Sequence, residues 1–332
     1  MNEQNQQIIV KRFPQGWVQE SDFELIQTPL PDLKPGQVLV RNQWLSLDPY
    51  MRGRLSSAKS YAQSAKIGEV MVGQTAGVVI ASKSSEFEQG ETVLTYSGWQ
   101  THCAAEASNL KRIDASKLSS SAYLGILGMP GVTAWMGLMD LCEPKKGDTV
   151  LVDAASGAVG SIVGQLAKNL GCRVVGIAGG QKKCDYVVND LDFDACVDHT
   201  HSKFKEHLQV AVPQGIDCVF ENVGGAVFEA ILTHMNPFSR IALCGLVSEY
   251  NVPPYANQQL RSILVNRIRI QGFIVTDRPQ AWPTIIESLT QKVLSGDLKY
   301  KESIAHGIEK APRAFIGMLK GENLGKQLVQ LF

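Results

Sequence analysis

Residues 150–178 hold the spacing with the most chemical content. The apolar run Val150-Leu151-Val152 leads into Ala154-Ala155-Ser156-Gly157-Ala158-Val159-Gly160, and Gly164 follows one helical turn later. A second apolar run, residues 173–177, ends in Ala178-Gly179-Gly180-Gln181-Lys182-Lys183, with no Asp or Glu at its end. In a strand–turn–helix of this kind the first glycine position makes the turn tight. The second lets backbone approach a pyrophosphate, and the third lets the helix pack on the strand. Ala155, Gly157 and Gly160 take those places. Backbone N–H groups at the helix start then face the phosphates, helped by the helix dipole. The pattern predicts a dinucleotide site.

The end of the second run indicates which dinucleotide. An NAD-selective site sets an Asp or Glu about 20 residues on, against the ribose hydroxyls. Here Gly179 and Gly180 leave room, and Lys182 and Lys183 bring positive charge. A 2′-phosphate needs charged donors and is repelled by a carboxylate. The expected cofactor is NADP(H). Adjacent helix positions face different directions, so at least one of the two lysines is expected to be solvated.

The rest of the chain must position this turn. Its 332 residues suffice for one large or two ordinary domains, and 44% hydrophobic with 19% charged residues is a soluble globular balance. Thirty-two basic residues match thirty-two acidic ones, which argues against a nucleic-acid partner. The polar start lacks a signal pattern, and no apolar run approaches the roughly 18 residues that span a bilayer. A cytoplasmic protein with no membrane partner is expected. The seven cysteines form no CxxC pair, so neither a disulfide framework nor a structural zinc cluster is expected.

Residues 1–122 read as β-rich, with candidate strands at 38–40, within 70–80 and at 92–96 separated by Pro/Gly turns. From about residue 123 the rhythm changes. Candidate strands at 149–152, 173–177, 195–197, 217–220, 240–244 and 269–273 alternate with helical patterns at 158–170, 181–190, 201–210, 225–234, 257–266 and 280–294. The fold class is α/β: a Rossmann doubly wound parallel sheet plus a β-rich substrate domain. The expected boundaries are 123–299 for the NADP-binding domain, and 1–122 with 300–332 for a discontinuous substrate domain.

Further motifs occur in order: Leu47-Asp48-Pro49-Tyr50-Met51-Arg52, Leu127-Gly128-Met129-Pro130-Gly131, Glu221-Asn222-Val223-Gly224-Gly225, Cys244-Gly245-Leu246-Val247-Ser248-Glu249-Tyr250, Gly272-Phe273-Ile274-Val275 and Gly321-Glu322-Asn323-Leu324-Gly325. Together with the dinucleotide turn, they make the chain resemble the zinc-independent double-bond reductases of the medium-chain dehydrogenase/reductase superfamily. That group includes prostaglandin, alkenal and curcumin reductases. The resemblance spans nearly the whole chain and implies a GroES-like substrate domain, a homodimer and NADPH-dependent reduction of enones. It also implies site residues. Gly157, Ala158, Val159 and Gly160 would bind pyrophosphate, and Lys183 the 2′-phosphate. Asn222, Cys244, Gly245, Leu246, Val247, Ser248 and Tyr250 would lie along the cofactor, with Phe273, Ile274 and Val275 beside the nicotinamide. Asn323 would close over it. One position departs: relatives often carry Tyr where this chain has His199. An imidazole can also meet a phosphate; alternatively His199 is a strand-end surface residue.

Metal chemistry is not expected. Zinc-dependent relatives carry a Gly-His-Glu signature where this chain reads Gly73-Gln74-Thr75-Ala76-Gly77, and Gln and Thr are poor zinc ligands. His199 and His201 have no third ligand nearby in sequence. Without a metal, hydride delivery to the β-carbon of an enone builds negative charge on the carbonyl oxygen, which needs a donor. Tyr250 is the first candidate; alternatively it only packs or holds the ribose. Tyr50 is the second; alternatively it walls the substrate slot. Trp44, Trp99, Met51 and Tyr255 offer apolar side chains for a pocket wall or for core. Arg52 is expected to brace its loop, and Cys244 to be a buried thiol rather than a nucleophile. The same fold also admits an NADPH-dependent quinone oxidoreductase or a non-enzymatic NADPH-binding protein. The segment 261–275 is read as a strand-like sheet edge where subunits could pair.

Overall fold

The computed structural model describes residues 4–332, which separate into two compact units, 4–125 with 302–332 and 126–301. In the first unit β1 (Gln4–Val10) and β2 (Phe23–Pro29) form an antiparallel pair. The strands β3 (Gln37–Ser46), β4 (Thr75–Ser82), β5 (Thr92–Thr95), β6 (His102–Glu106) and β7 (Lys111–Arg112) follow, with the short helix α1 (Met51–Arg54) after β3.

The second unit opens with α2 (Met129–Trp135), which has Pro130 in its first turn, where a missing N–H costs nothing. The parallel strands are β8 (Thr149–Val152), β9 (Arg173–Ala178), β10 (Ala195–Asp198), β11 (Ile216–Glu221), β12 (Met235–Leu243) and β13 (Arg269–Gly272). They alternate with α3 (Gly160–Asn169), α4 (Gln181–Asn189), α5 (Phe204–Ala211), α6 (Gly225–Leu232) and α7 (Leu260–Asn266), and α8 (Trp282–Ser295) follows β13. The strand order is β10-β9-β8-β11-β12-β13, the doubly wound arrangement, whose switch point lies between β8 and β11. All four residues of β8 are buried, as a central strand covered on both faces requires. Leu151, Val175, Val219 and Ile241 meet Ile231 and Leu208 in one cluster on this sheet.

The tail then returns to the first unit as β14 (Glu302–His306), α9 (Ala311–Leu319) and β15 (Lys326–Gln330). There β15 pairs antiparallel with β3 inside the sheet β14-β15-β3-β4-β5-β7, and β6 pairs with the other part of β3. Phe315 of α9 packs edge-on to Trp99 with ring centroids 5.6 Å apart, and Trp99 stacks on Phe23 at 5.3 Å. Trp99 and Met51 are fully buried core residues and not pocket walls.

The strand-like reading of residues 261–275 is corrected: α7 occupies most of its first half, and only Arg269–Gly272 is strand. Arg267 ends the helix with φ 51°, where an apolar run alone carries no sign of a turn.

Candidate functional site

The turn after β8 is shaped by close backbone approach. Ala155 N–H donates to the Ile177 carbonyl at 3.0 Å, tying the turn to β9, and Gly157 N–H donates to the Ala154 carbonyl at 2.8 Å. A Cβ on Gly160 would lie 2.5 Å from that same Ala154 oxygen, so only glycine fits at the first residue of α3. Gly164 faces Phe193, whose ring would be 1.8 Å from a Cβ there; this lets α3 settle onto the sheet. Gly157, Ala158 and Val159 are half-buried in the turn at the start of α3.

Neighbouring strand ends meet this turn. Asp198, at the end of β10, accepts from Gly180 N–H at 2.8 Å and from the Thr200 N–H and hydroxyl at 2.9 and 2.7 Å. Burial would raise its carboxyl, but the Gly180 and Thr200 hydrogen bonds, with His199 nearby, outweigh it and hold the carboxyl below its usual range. The exposed His199 ring lies over Gly179, with Nε2 3.0 Å from a Cβ built there. Lys183 is half-buried in the first turn of α4 while Lys182 is exposed, and burial lowers the Lys183 ammonium pKa. The end of β9 therefore offers two small residues, a half-buried cation and an imidazole, with the nearby Asp198 carboxylate committed to the turn itself. That chemistry suits a phosphate group on an adenosine ribose.

Across the switch point, two acids that the sequence reading gave no role are buried. Asp153 follows β8 and Glu221 ends β11. Each stands at the end of an apolar run, which was the signal available. Asn222 turns its amide onto Asp153, with Nδ2 3.1 Å from the Asp153 carbonyl and 3.2 Å from Oδ1. Residues 244–250 hang from this segment. Cys244 and Gly245 N–H donate to the Glu221 carbonyl at 2.9 and 3.1 Å, Val247 N–H to Asn222 O at 3.0 Å, and Ser248 N–H to Val223 O at 2.9 Å. Burial, then the charges of Asp153 and Glu221, pushes the Cys244 thiol up to about 12, a protonated thiol rather than a nucleophile. Tyr250 folds its hydroxyl back to 3.2 Å from a Cβ built on Gly245.

Phe273 follows β13, its ring 6.2 Å from that of Phe220 and edge-on to it, and Ile274 and Val275 are half-buried after it. In the first unit, Tyr50 is half-buried beside α1; burial, then the Asp48 charge, pushes its hydroxyl above the usual range and keeps it a neutral donor. Asn323 is half-buried and uses Nδ2 on the Gly325 carbonyl at 2.7 Å.

Among the described residues, no group of three or more His, Cys, Asp or Glu is placed to hold a metal ion. Gln74 is buried, and the Thr75 hydroxyl is committed to Asn42 Oδ1 and Ser97 Oγ, each at 2.9 Å. This donor set does not fit zinc.

The chain matches the family described as "N-terminal domain of oxidoreductase" over residues 6–113 and that described as "Zinc-binding dehydrogenase" over residues 158–291. It is 42% identical to the NADPH-dependent curcumin reductase of Escherichia coli K12, across 99% of this chain and 97% of that protein. It is 41% identical to prostaglandin reductase 1 of Rattus norvegicus, across 97% of each. The crystal structure of CurA from Vibrio vulnificus in complex with NADPH superposes with a TM-score of 0.93 at 44% identity, covering 98% of this chain and 99% of that one. With sheet-rich and parallel-sheet units in this order, and full-length likeness of this degree, the chain belongs to the zinc-independent double-bond reductases of the medium-chain dehydrogenase/reductase superfamily.

Proposed function

We propose that this chain is an NADPH-dependent reductase of the carbon–carbon double bond in α,β-unsaturated ketones and aldehydes, curcuminoid, prostaglandin or alkenal in type. The observation that carries this reading is its 42% identity, over 99% of its length, to an NADPH-dependent curcumin reductase. The geometry accommodates it: the turn at Gly160 has no space for a Cβ, and the end of β9 carries Lys183 in place of an acid.

In this reading residues 123–299 form the NADP-binding domain, and 1–122 with 300–332 the GroES-like substrate domain. Backbone N–H groups of Gly157, Ala158, Val159 and Gly160 hold the pyrophosphate, and Lys183 and His199 hold the 2′-phosphate. Asn222, Cys244, Gly245, Leu246, Val247 and Ser248 line the cofactor. Phe273, Ile274, Val275 and Asn323 complete its surroundings. NADPH, when bound, supplies the hydride. The protein supplies a neutral donor for the negative charge that develops on the carbonyl oxygen, and a phenol suits that task. Tyr250 is the first assignment, because it closes the loop built on Glu221, Asn222 and Val223; Tyr50 is the second.

We further propose a cytoplasmic homodimer with a small-molecule substrate and no nucleic-acid or membrane partner. The edge strand β13 and exposed Leu264 and Phe238, at 79% and 68% exposure, support the pairing surface.

The direct test follows nucleotide oxidation with a curcuminoid, a 15-oxo-prostaglandin, a 2-alkenal and simple quinones, each with NADPH and with NADH. Fastest turnover of an enone with NADPH is expected. Faster turnover of quinones, or preference for NADH, overturns the assignment.

A further inference from the structure

We propose that Glu221 and Asp153 share a single proton, and that this proton positions the loops built on residues 222–225 and 244–248. The inference rests on the reading that those loops line NADPH, and it assigns two positioning residues outside the cofactor contacts already named.

Both acids are fully buried at the strand ends that flank the switch point. Their carboxyl groups converge on one donor, the Val223 N–H, which reaches Asp153 Oδ2 at 3.2 Å and Glu221 Oε1 at 2.8 Å. Asp153 Oδ1 accepts from Asn222 N–H at 2.7 Å and from Asn222 Nδ2 at 3.2 Å, while Oδ2 accepts from Val223 N–H at 3.2 Å. Glu221 Oε1 accepts from Val223 and Gly224 N–H at 2.8 and 2.6 Å. Glu221 Oε2 is buried, and among the described residues no donor reaches it. Two fully buried carboxylates that share one N–H donor do not both stay ionised. One proton shared by the pair relieves the repulsion, and it gives the unpartnered Glu221 Oε2 a hydrogen to donate. Burial raises both groups. The charge of Asp153 raises Glu221 further.

Among the described residues, the titratable groups on the loops around the pair are Cys244, Glu249 and Tyr250, none of them a cation. Cys244, from the end of β12, is held as a neutral thiol. Glu249 Oε1 accepts from Gly225 N–H at 3.1 Å and is itself an acid. The Tyr250 hydroxyl lies 3.2 Å from a Cβ built on Gly245. The chain of hydrogen bonds then runs outward. The shared proton aligns both carboxyls, the carboxyls fix the backbone N–H groups of residues 222–224, and the carbonyls of residues 221–223 carry residues 244–248. Loss of the proton sets two negative charges against each other beneath both loops.

Two measurements test this. The infrared spectrum of the cofactor-free protein at neutral pH is expected to show the carbonyl stretch of a protonated carboxylic acid, absent from Glu221→Gln. The dissociation constant of NADPH, followed by its fluorescence, is expected to rise with pH in the wild type as the pair loses its proton, and to lose that limb in Glu221→Gln, whose amide is a donor at every pH. At neutral pH, Glu221→Ala should bind NADPH at least about tenfold more weakly, ~1.4 kcal/mol, and Glu221→Gln should restore most of the loss. If Glu221→Ala fails to fold, the infrared band and the Glu221→Gln profile still decide. A wild type without the band, a band that survives in Glu221→Gln, or an unchanged pH profile overturns the proposal. A wild type that shows the band but does not bind NADPH overturns the cofactor reading instead.

Discussion

Lys326, on the last strand, donates from Nζ to Asp48 Oδ1 at 2.5 Å and to the Leu47 carbonyl at 2.7 Å, with both side chains buried. The partners are 278 residues apart in sequence, and Asp48 also accepts from the Ser46 hydroxyl. The pair fastens the returning tail to the Asp48-Pro49-Tyr50 turn. Removing one partner leaves the other charge buried and uncompensated, which costs about 3–5 kcal/mol. Lys326→Met should lower stability by that order in urea denaturation. The double change Lys326→Met with Asp48→Leu should recover part of it. A single variant as stable as the wild type sinks this assignment.

The exposure of the two adjacent lysines separates their expected roles. Lys183 is half-buried and Lys182 exposed. A hydrogen bond to a charged group contributes about 1.5–3 kcal/mol, so Lys183→Ala should weaken NADPH binding by about tenfold or more and leave NADH binding little changed. Lys182→Ala should do neither. Titration of each variant with both nucleotides checks this, and equal losses for NADPH and NADH in Lys183→Ala would falsify the phosphate contact.

Removal of one preorganised donor to a developing oxyanion costs about 10²–10³ in kcat. Tyr250→Phe should show a loss of that order in kcat with little change in KM. Tyr50→Phe is the paired measurement: the larger kcat loss there would transfer the donor role to Tyr50, and no loss in either would remove phenols from the chemistry.

Two thiols set an alkaline limb of stability. Burial, then the Asp148 charge, raises Cys172 to about 11, and burial, then Asp153 and Glu221, raises Cys244 to about 12. The folded state keeps protons that the unfolded chain releases near pH ~8.5. Their contribution is therefore full below that pH and is lost as pH rises towards about 11 and about 12. Cys244→Ala should make the alkaline fall in stability shallower, as measured by denaturation at a series of pH values. An identical slope argues against the raised thiol.

Association through the edge of the parallel sheet makes a further claim. Leu264→Arg places a charge on a residue 79% exposed in the single chain, so it should leave monomer stability near wild type and shift sedimentation from dimer to monomer. A wild type that sediments as a monomer removes the dimer.

The parts of this protein legible in its sequence are those governed by local chemistry. The glycine turn before Gly160, the missing acid after residue 178 and the alternation of strands and helices each follow from turn geometry and side-chain periodicity, which act over a few residues. Residues 257–266 carried a helical pattern and 260–266 are helix, but the strand-like reading of 261–275 ran across the helix end, because an apolar run there carries no unambiguous period and only the left-handed Arg267 shows where the helix stops. The pairing of Glu221 with Asp153, the seating of Tyr250 on Gly245 and the burial of Lys326 against Asp48 were set by the tertiary structure alone. Each depends on which strands become neighbours and on how completely water is excluded between them. No short window of residues encodes that, because desolvation and charge contact belong to the assembled sheet.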